Sequence, residues 1–300
     1  MRSARTCNLK RTAVIGVLVS ACVFSALFFG NDELQGDEIR YVLYANNLLQ
    51  GIYAIPEVLH IRNGPGYPLL LAPFEALNSQ IIIERIANSI LVLLGLLYFY
   101  KLVRIYTSSN TALIATFCLG IYPPLLYWLG RLYSEAFAFF LINGFAYHFC
   151  SWYSNKNIKT NHYILAALYL GLLTLTKVLF GYVLAFSIFV TLIASLLRQH
   201  NVFYLNWKIC SVFVLALCLC IPYLIYTHSV SSKFFYWGTQ GSENLYWLTS
   251  PHPEEWGNSI PMKQIYERVE LNHHMEFFNK LASLNAIERD NLFKKKVLEN

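Results

Sequence analysis

The residues best suited to chemistry gather in one stretch. It reads Gly36-Asp37-Glu38-Ile39-Arg40-Tyr41-Val42-Leu43-Tyr44 and runs on to Gly51. Ile39, Val42, Leu43 and Leu49 recur at helical spacing, which predicts a short amphipathic helix lying at a membrane surface. Gly51 suits its left-handed stop. Asp37 and Glu38 fall in the first turn, where the helix dipole favours negative charge. Asp37, Tyr41 and Tyr44 share one face by their i, i+4, i+7 spacing. A carboxylate held there can act as general base on an acceptor hydroxyl. The Asp37–Glu38 pair can equally bind a divalent cation, or only cap the helix.

A second candidate stretch follows: His60-Ile61-Arg62-Asn63-Gly64-Pro65-Gly66-Tyr67-Pro68. Two glycines and two prolines within five residues predict a tight, stiff turn. Such a turn can present backbone N–H groups to an anion, with Arg62 before it and Tyr67 inside it. Its alternative role is re-entry into the next apolar segment. Further along, isolated charges interrupt long uncharged runs: Arg131 and Glu135 between 105 and 153, and Lys177 between 160 and 197. Charges in such surroundings are rare and count as functional candidates, although Arg131 and Lys177 can also snorkel to an interface. Glu135 can bind an acceptor, pair with Arg131 four residues earlier, or cap its own helix. His273-His274 with Glu276 fits no zinc spacing and predicts a solvent-exposed helix, while His252-Pro253-Glu254-Glu255 predicts a loop. The chain contains no P-loop, GxSxG, HExxH or GxGxxG motif, which argues against nucleotide-driven pumping and soluble-type hydrolysis.

The elements that must hold these residues are apolar. Of 300 residues 56% are hydrophobic and 13% charged, against about 25% charged in soluble domains. Mean hydropathy is +0.42. The composition excludes disorder and an ordinary soluble enzyme. Uncharged runs long enough to cross about 30 Å of hydrocarbon predict seven spans, near 13–30, 81–100, 111–128, 135–153, 163–176, 178–197 and 209–227. Pro123, Pro124 and Pro222 lie inside spans, where neighbouring helices can re-satisfy freed carbonyls. The first span lacks a small-x-small exit and reads as a retained anchor rather than a cleaved signal.

With the N-terminus inside, the inner segments hold Arg2, Arg5, Lys10, Arg11, Lys101, Arg104, Lys156, Lys159, Arg198 and Lys208, and no acidic residue. That satisfies the positive-inside rule, and the reverse orientation inverts it. The net charge of +6 is therefore a topology signal rather than a nucleic-acid footprint. Residues 31–80 form an outer loop. Residues 1–227 make the transmembrane region, and 228–300 face outward as the expected start of an incomplete C-terminal domain. None of the seven cysteines falls in an outer loop; they read as small apolar packing residues.

Taken in order, Asp37-Glu38-x-x-Tyr41, Gly51-Ile52-Tyr53 and Gly64-Pro65-Gly66-Tyr67-Pro68-Leu69-Leu70 resemble the first outer loop of membrane glycosyltransferases of the GT-C class. The likeness is to the bacterial protein-mannosyltransferase-like branch, glycosyltransferase family 39 and the aminoarabinose transferases. Ser134-Glu135 resembles the Ser-Glu that opens that family's fourth span. Gly171-Leu172-Leu173-Thr174-Leu175-Thr176-Lys177 resembles its Gly-Leu-x-x-Leu-Thr-Arg/Lys-Pro motif, with Val178 in the place of the proline, and Tyr236 to Pro251, with Gly241 to Tyr246, its outer segment after the Pro-bearing span. The resemblance implies an all-α, multi-pass helical bundle of about seven transmembrane helices. It further implies a polyprenyl-phosphate-sugar donor held among membrane lipid, and an acceptor glycan, lipid or protein. The expected setting is the outer face of the bacterial inner membrane. Asp37 and Glu38 would then be catalytic, Lys177, Arg62 and Arg131 would hold the donor phosphate, and Tyr41, Tyr67 and Glu135 would bind substrate. A divalent cation, if used, would sit on Asp37 and Glu38. A transporter, flippase or non-enzymatic scaffold is the alternative. Transporters place polar groups at the bilayer midplane, whereas these charges collect at one boundary.

Overall fold

The computed structural model describes residues 2–30, 33–55, 61–154, 160–196, 200–257, 260 and 262–299. Lys156, Lys159 and Arg198 of the expected inner charges lie outside these residues, as does His60. Among the described residues the protein is entirely helical, and it divides into two compact units.

The first unit takes in residues 1–51 and 65–223. It is built from α1 (Arg2–Phe28), α2 (Asp37–Leu49), α3 (Gly66–Ala76), α4 (Ile81–Tyr106), α5 (Ser109–Gly120), α6 (Pro123–Tyr127), α7 (Glu135–Ser154), α8 (Thr160–Thr176), α9 (Leu179–Leu196) and most of α10 (His200–Ser231). All seven predicted spans are helical. Arg11–Phe28, Ile81–Tyr106 and Trp207–Ser231 are each long and apolar enough to cross a membrane. The third predicted span is two helices, bent by 54° between Gly120 and Pro123. Pro123 and Pro124 stand at that break rather than inside a continuous helix, because a proline fits the first turn and not the interior. α8 and α9 are shorter apolar helices. Large side chains such as Ile15, Phe24, Ile90, Leu97, Phe186 and Ile225 remain exposed on these helices, the surface a lipid-facing helix needs.

The amphipathic helix forms as the spacing requires. α2 ends at Leu49, and Gly51 adopts φ 77°, the backbone region that favours glycine. Tyr41 and Ala45 pack with Tyr67 and Leu71 of α3 against Phe137, Leu141, Leu170, Leu173 and Leu184 of the bundle. The glycine–proline stretch differs from its sequence reading. It is not a bare turn, because Pro65 caps α3, which begins at Gly66 and tolerates Pro68 in its first turn.

Gly66 shows why that corner holds no side chain. A Cβ there would lie 2.7 Å from the Thr176 backbone nitrogen and 2.9 Å from the Leu175 carbonyl carbon. α3 therefore docks directly on the end of α8, next to Lys177. Gly66→Ala should destabilise the protein by about 1–3 kcal/mol through overpacking, read as a lower unfolding midpoint of the detergent-solubilised chain. An unchanged midpoint would mean that α3 is not seated on α8.

The second unit holds residues 52–64 and 224–300. It contains the end of α10 and α11 (Gly241–Leu248), α12 (Met262–Glu267), α13 (Asn272–Ala282) and α14 (Ala286–Glu299). Its core is aromatic: Tyr246, Trp247, Phe278 and Phe293 pack with Ile265, Leu271 and Leu281. Asp290 is buried and collects Tyr236, Ser242, Lys233 and Lys294. Burial alone would raise its pKa, but those donors hold its carboxyl below the usual range.

Candidate active site

The two neighbouring carboxylates of α2 have different surroundings. Glu38 is 1% exposed. Its Oε2 accepts from the Gln35 backbone N–H at 3.0 Å, the reach-back that ties down a helix start. Its Oε1 accepts from the Leu132 N–H at 2.8 Å and lies 3.7 Å from the Arg85 guanidinium. Both oxygens are thus engaged by the protein itself. Asp37 keeps 46% of its side chain exposed and pairs with Arg40 one turn on. Glu38 faces inward to backbone donors, whereas Asp37 stays accessible. Arg85, on α4, faces Glu38. Arg40, whose i, i+3 spacing from Asp37 was the available signal, is a site residue that the sequence reading missed.

One turn after Asp37, the Tyr41 hydroxyl shares a hydrogen bond of 2.8 Å with Ser134 Oγ. Burial holds the Tyr41 phenol well above its ordinary range; Ser134 and Arg40 oppose this, and Glu135 and Asp37 add to it. It is therefore a neutral hydrogen-bonding group. Its ring meets Tyr67 edge-on, with centroids 4.9 Å apart. Tyr67 is fully buried, and its hydroxyl accepts from Asn88 Nδ2 at 2.8 Å. That Asn88 amide also reaches the Arg131 carbonyl, at 3.3 Å. Asn88 thus fixes both α3 and the 131–135 segment, a role that no sequence spacing announced.

Beside Ser134, Glu135 opens α7 and accepts from Lys177 Nζ at 2.7 Å. The Glu135 partner is therefore Lys177, 42 residues away, and not Arg131. Both ends of the pair keep exposure, 33% for Lys177 and 48% for Glu135. Arg131 lies close enough to Tyr133 to influence its phenol, as do Asp37 and Glu38. Two hydrogen bonds, Tyr41–Ser134 and Lys177–Glu135, thus tie α2 and Lys177 to the start of α7.

Tyr44, on the same face as Asp37 by spacing, is buried. Arg62 belongs to the second unit, where its guanidinium lies 3.4 Å from Glu243. It lines a cavity of about 290 Å³ with Thr239, Glu243 and Asp290.

In chemical terms the first unit offers an accessible carboxylate at a helix N-terminus. A partly accessible lysine, Lys177, is held by Glu135 at the start of α7, and both lie on the apolar helical bundle. The family profile of dolichyl-phosphate-mannose-protein mannosyltransferases matches residues 62–226, just over half of the chain, and the protein belongs to this family. Membership makes it a membrane glycosyltransferase that draws its sugar from a lipid-linked donor. No curated protein matches the chain at a significant level.

Proposed function

We propose that the protein moves a sugar from a polyprenyl-phosphate donor to an acceptor on the outer face of the bacterial inner membrane, with inversion at the anomeric carbon. Asp37 removes the proton from the acceptor hydroxyl. The hydroxyl oxygen bonds to the anomeric carbon as the bond from that carbon to the phosphate oxygen breaks. Attack from the face opposite the leaving group inverts the centre. Lys177 and Arg131 stabilise the charge that develops on the departing lipid phosphate. Glu135 aims Lys177 and contacts the acceptor, and Tyr41 and Tyr67 shape the acceptor side. Glu38 is a positioning residue that seats α2 against the 131–135 segment.

The observation that carries this reading is the division of labour between adjacent carboxylates: Asp37 half-exposed beside Arg40, Glu38 buried on backbone donors. The outward orientation rests on the basic residues gathered in the inner segments. Mass spectrometry of lipids copurifying with the protein tests the donor. A polyprenyl phosphate carrying one sugar is the expected species. Recovery of bulk phospholipid alone, with no transfer from added donor, would contradict it.

A further inference from the structure

The second unit carries a cluster that the transferase chemistry does not use. α13 begins at Asn272, so His273 and His274 occupy its first turn. Glu255, from the short turn Pro253–Glu255, reaches between them. His273 Nε2 lies 2.8 Å from Glu255 Oε1, and His274 Nε2 lies 2.9 Å from Glu255 Oε2. All three ligand-type atoms fall within 4.8 Å of one another. We propose that Glu255, His273 and His274 form a zinc site that staples the 250–256 segment to α13.

Three features beyond proximity support it. First, the donor set is two imidazoles and a carboxylate, which suits zinc among biological divalent ions and matches its three-ligand sites with an open fourth position. Second, the ligands are oriented from behind. His274 Nδ1 meets the Tyr246 hydroxyl, and the Ser250 hydroxyl donates to Glu255 Oε2. Metal-binding histidines and carboxylates are held in this way by outer partners. Third, His273 and His274 line one side of a cavity of about 440 Å³, so an ion and its fourth ligand, a water, have a route in. A third imidazole, His252, stands on the same wall with its ring centroid 4.2 Å from that of His273. Zinc–ligand bonds near 2.0–2.1 Å hold tetrahedral donors about 3.3 Å apart, so an ion would part each N···O pair by roughly half an ångström. Glu255 and His274 are each about 5% exposed, and an ion would offset the burial of that carboxylate.

The sequence hid this site for a geometric reason. Adjacent histidines on one helix do not normally converge, and their third partner lies 18 residues upstream of His273 on a separate turn.

The test is metal analysis of the full chain, purified in detergent with a tag free of histidine, loaded with Zn²⁺ and desalted. About one zinc per chain should remain. A Co²⁺-loaded sample should show the visible d–d absorption of a tetrahedral site. Glu255→Gln and, as the milder change at a partly exposed ligand, His273→Asn should each weaken zinc binding by roughly 100-fold or more while helicity by circular dichroism is unchanged. The site is disproved if the wild-type chain retains no zinc, or if both folded variants retain it as the wild type does. The cluster would then be hydrogen bonding alone.

Discussion

Asp37→Asn should leave the protein folded and lower the rate of sugar transfer by about 10²–10⁴-fold, the usual contribution of a general base. Asparagine has the same shape, still sits at the start of α2 and can still accept a hydrogen bond from Arg40. What it lacks is the ability to take a proton from the acceptor hydroxyl as the new bond forms. The side chain is half-exposed and pairs with a neighbour on its own helix, so little packing depends on its charge. Exposed ion pairs of this kind contribute about 0–1 kcal/mol. The unfolding midpoint should therefore barely move. Asp37→Glu keeps the base but displaces it, and should recover part of the rate. An Asp37→Asn enzyme that transfers sugar normally would remove the base from this residue.

The next residue should behave in the opposite way. Glu38→Ala removes a buried carboxylate that accepts from two backbone N–H groups and faces Arg85, itself only 6% exposed. Breaking one side of a buried pair costs about 3–5 kcal/mol. The expected result is a marked fall in the unfolding midpoint and loss of activity through misplacement of α2. A double-mutant cycle with Arg85→Ala separates the two causes. If Glu38 acts by holding Arg85 and the 131–135 segment, the double variant should lose less stability than the two single changes summed. If Glu38→Ala is as stable as the wild type and loses only rate, Glu38 is a chemical partner of Asp37 rather than its scaffold.

Much of this was legible because membrane helices advertise themselves. The uncharged runs gave the helices their places, and hydrophobic spacing with Gly51 gave α2 its extent. The features that escaped are long-range. Nothing near Glu135 indicated that its cation would be Lys177, since i, i+4 spacing pointed to Arg131. Nothing near Arg85 in the chain indicated that it would face Glu38. The Gly64–Pro68 stretch looked like a turn because prolines are strong turn formers, yet Pro65 and Pro68 are equally at home where a helix starts. His273 does stand exposed on a helix and Glu255 does lie in a loop turn, but His274 is buried, because only the fold brings the carboxylate to the imidazoles.

As the proposed base, Asp37 serves the chemical step and not the binding of the lipid-linked sugar. Single-turnover transfer from a labelled polyprenyl-phosphate sugar, pre-bound to the wild-type and Asp37→Asn proteins in vesicles, addresses it directly. Equal donor binding with transfer at least about 100-fold slower in the variant is the predicted result. Equal transfer rates, or a variant that fails to bind the donor, would contradict the claim.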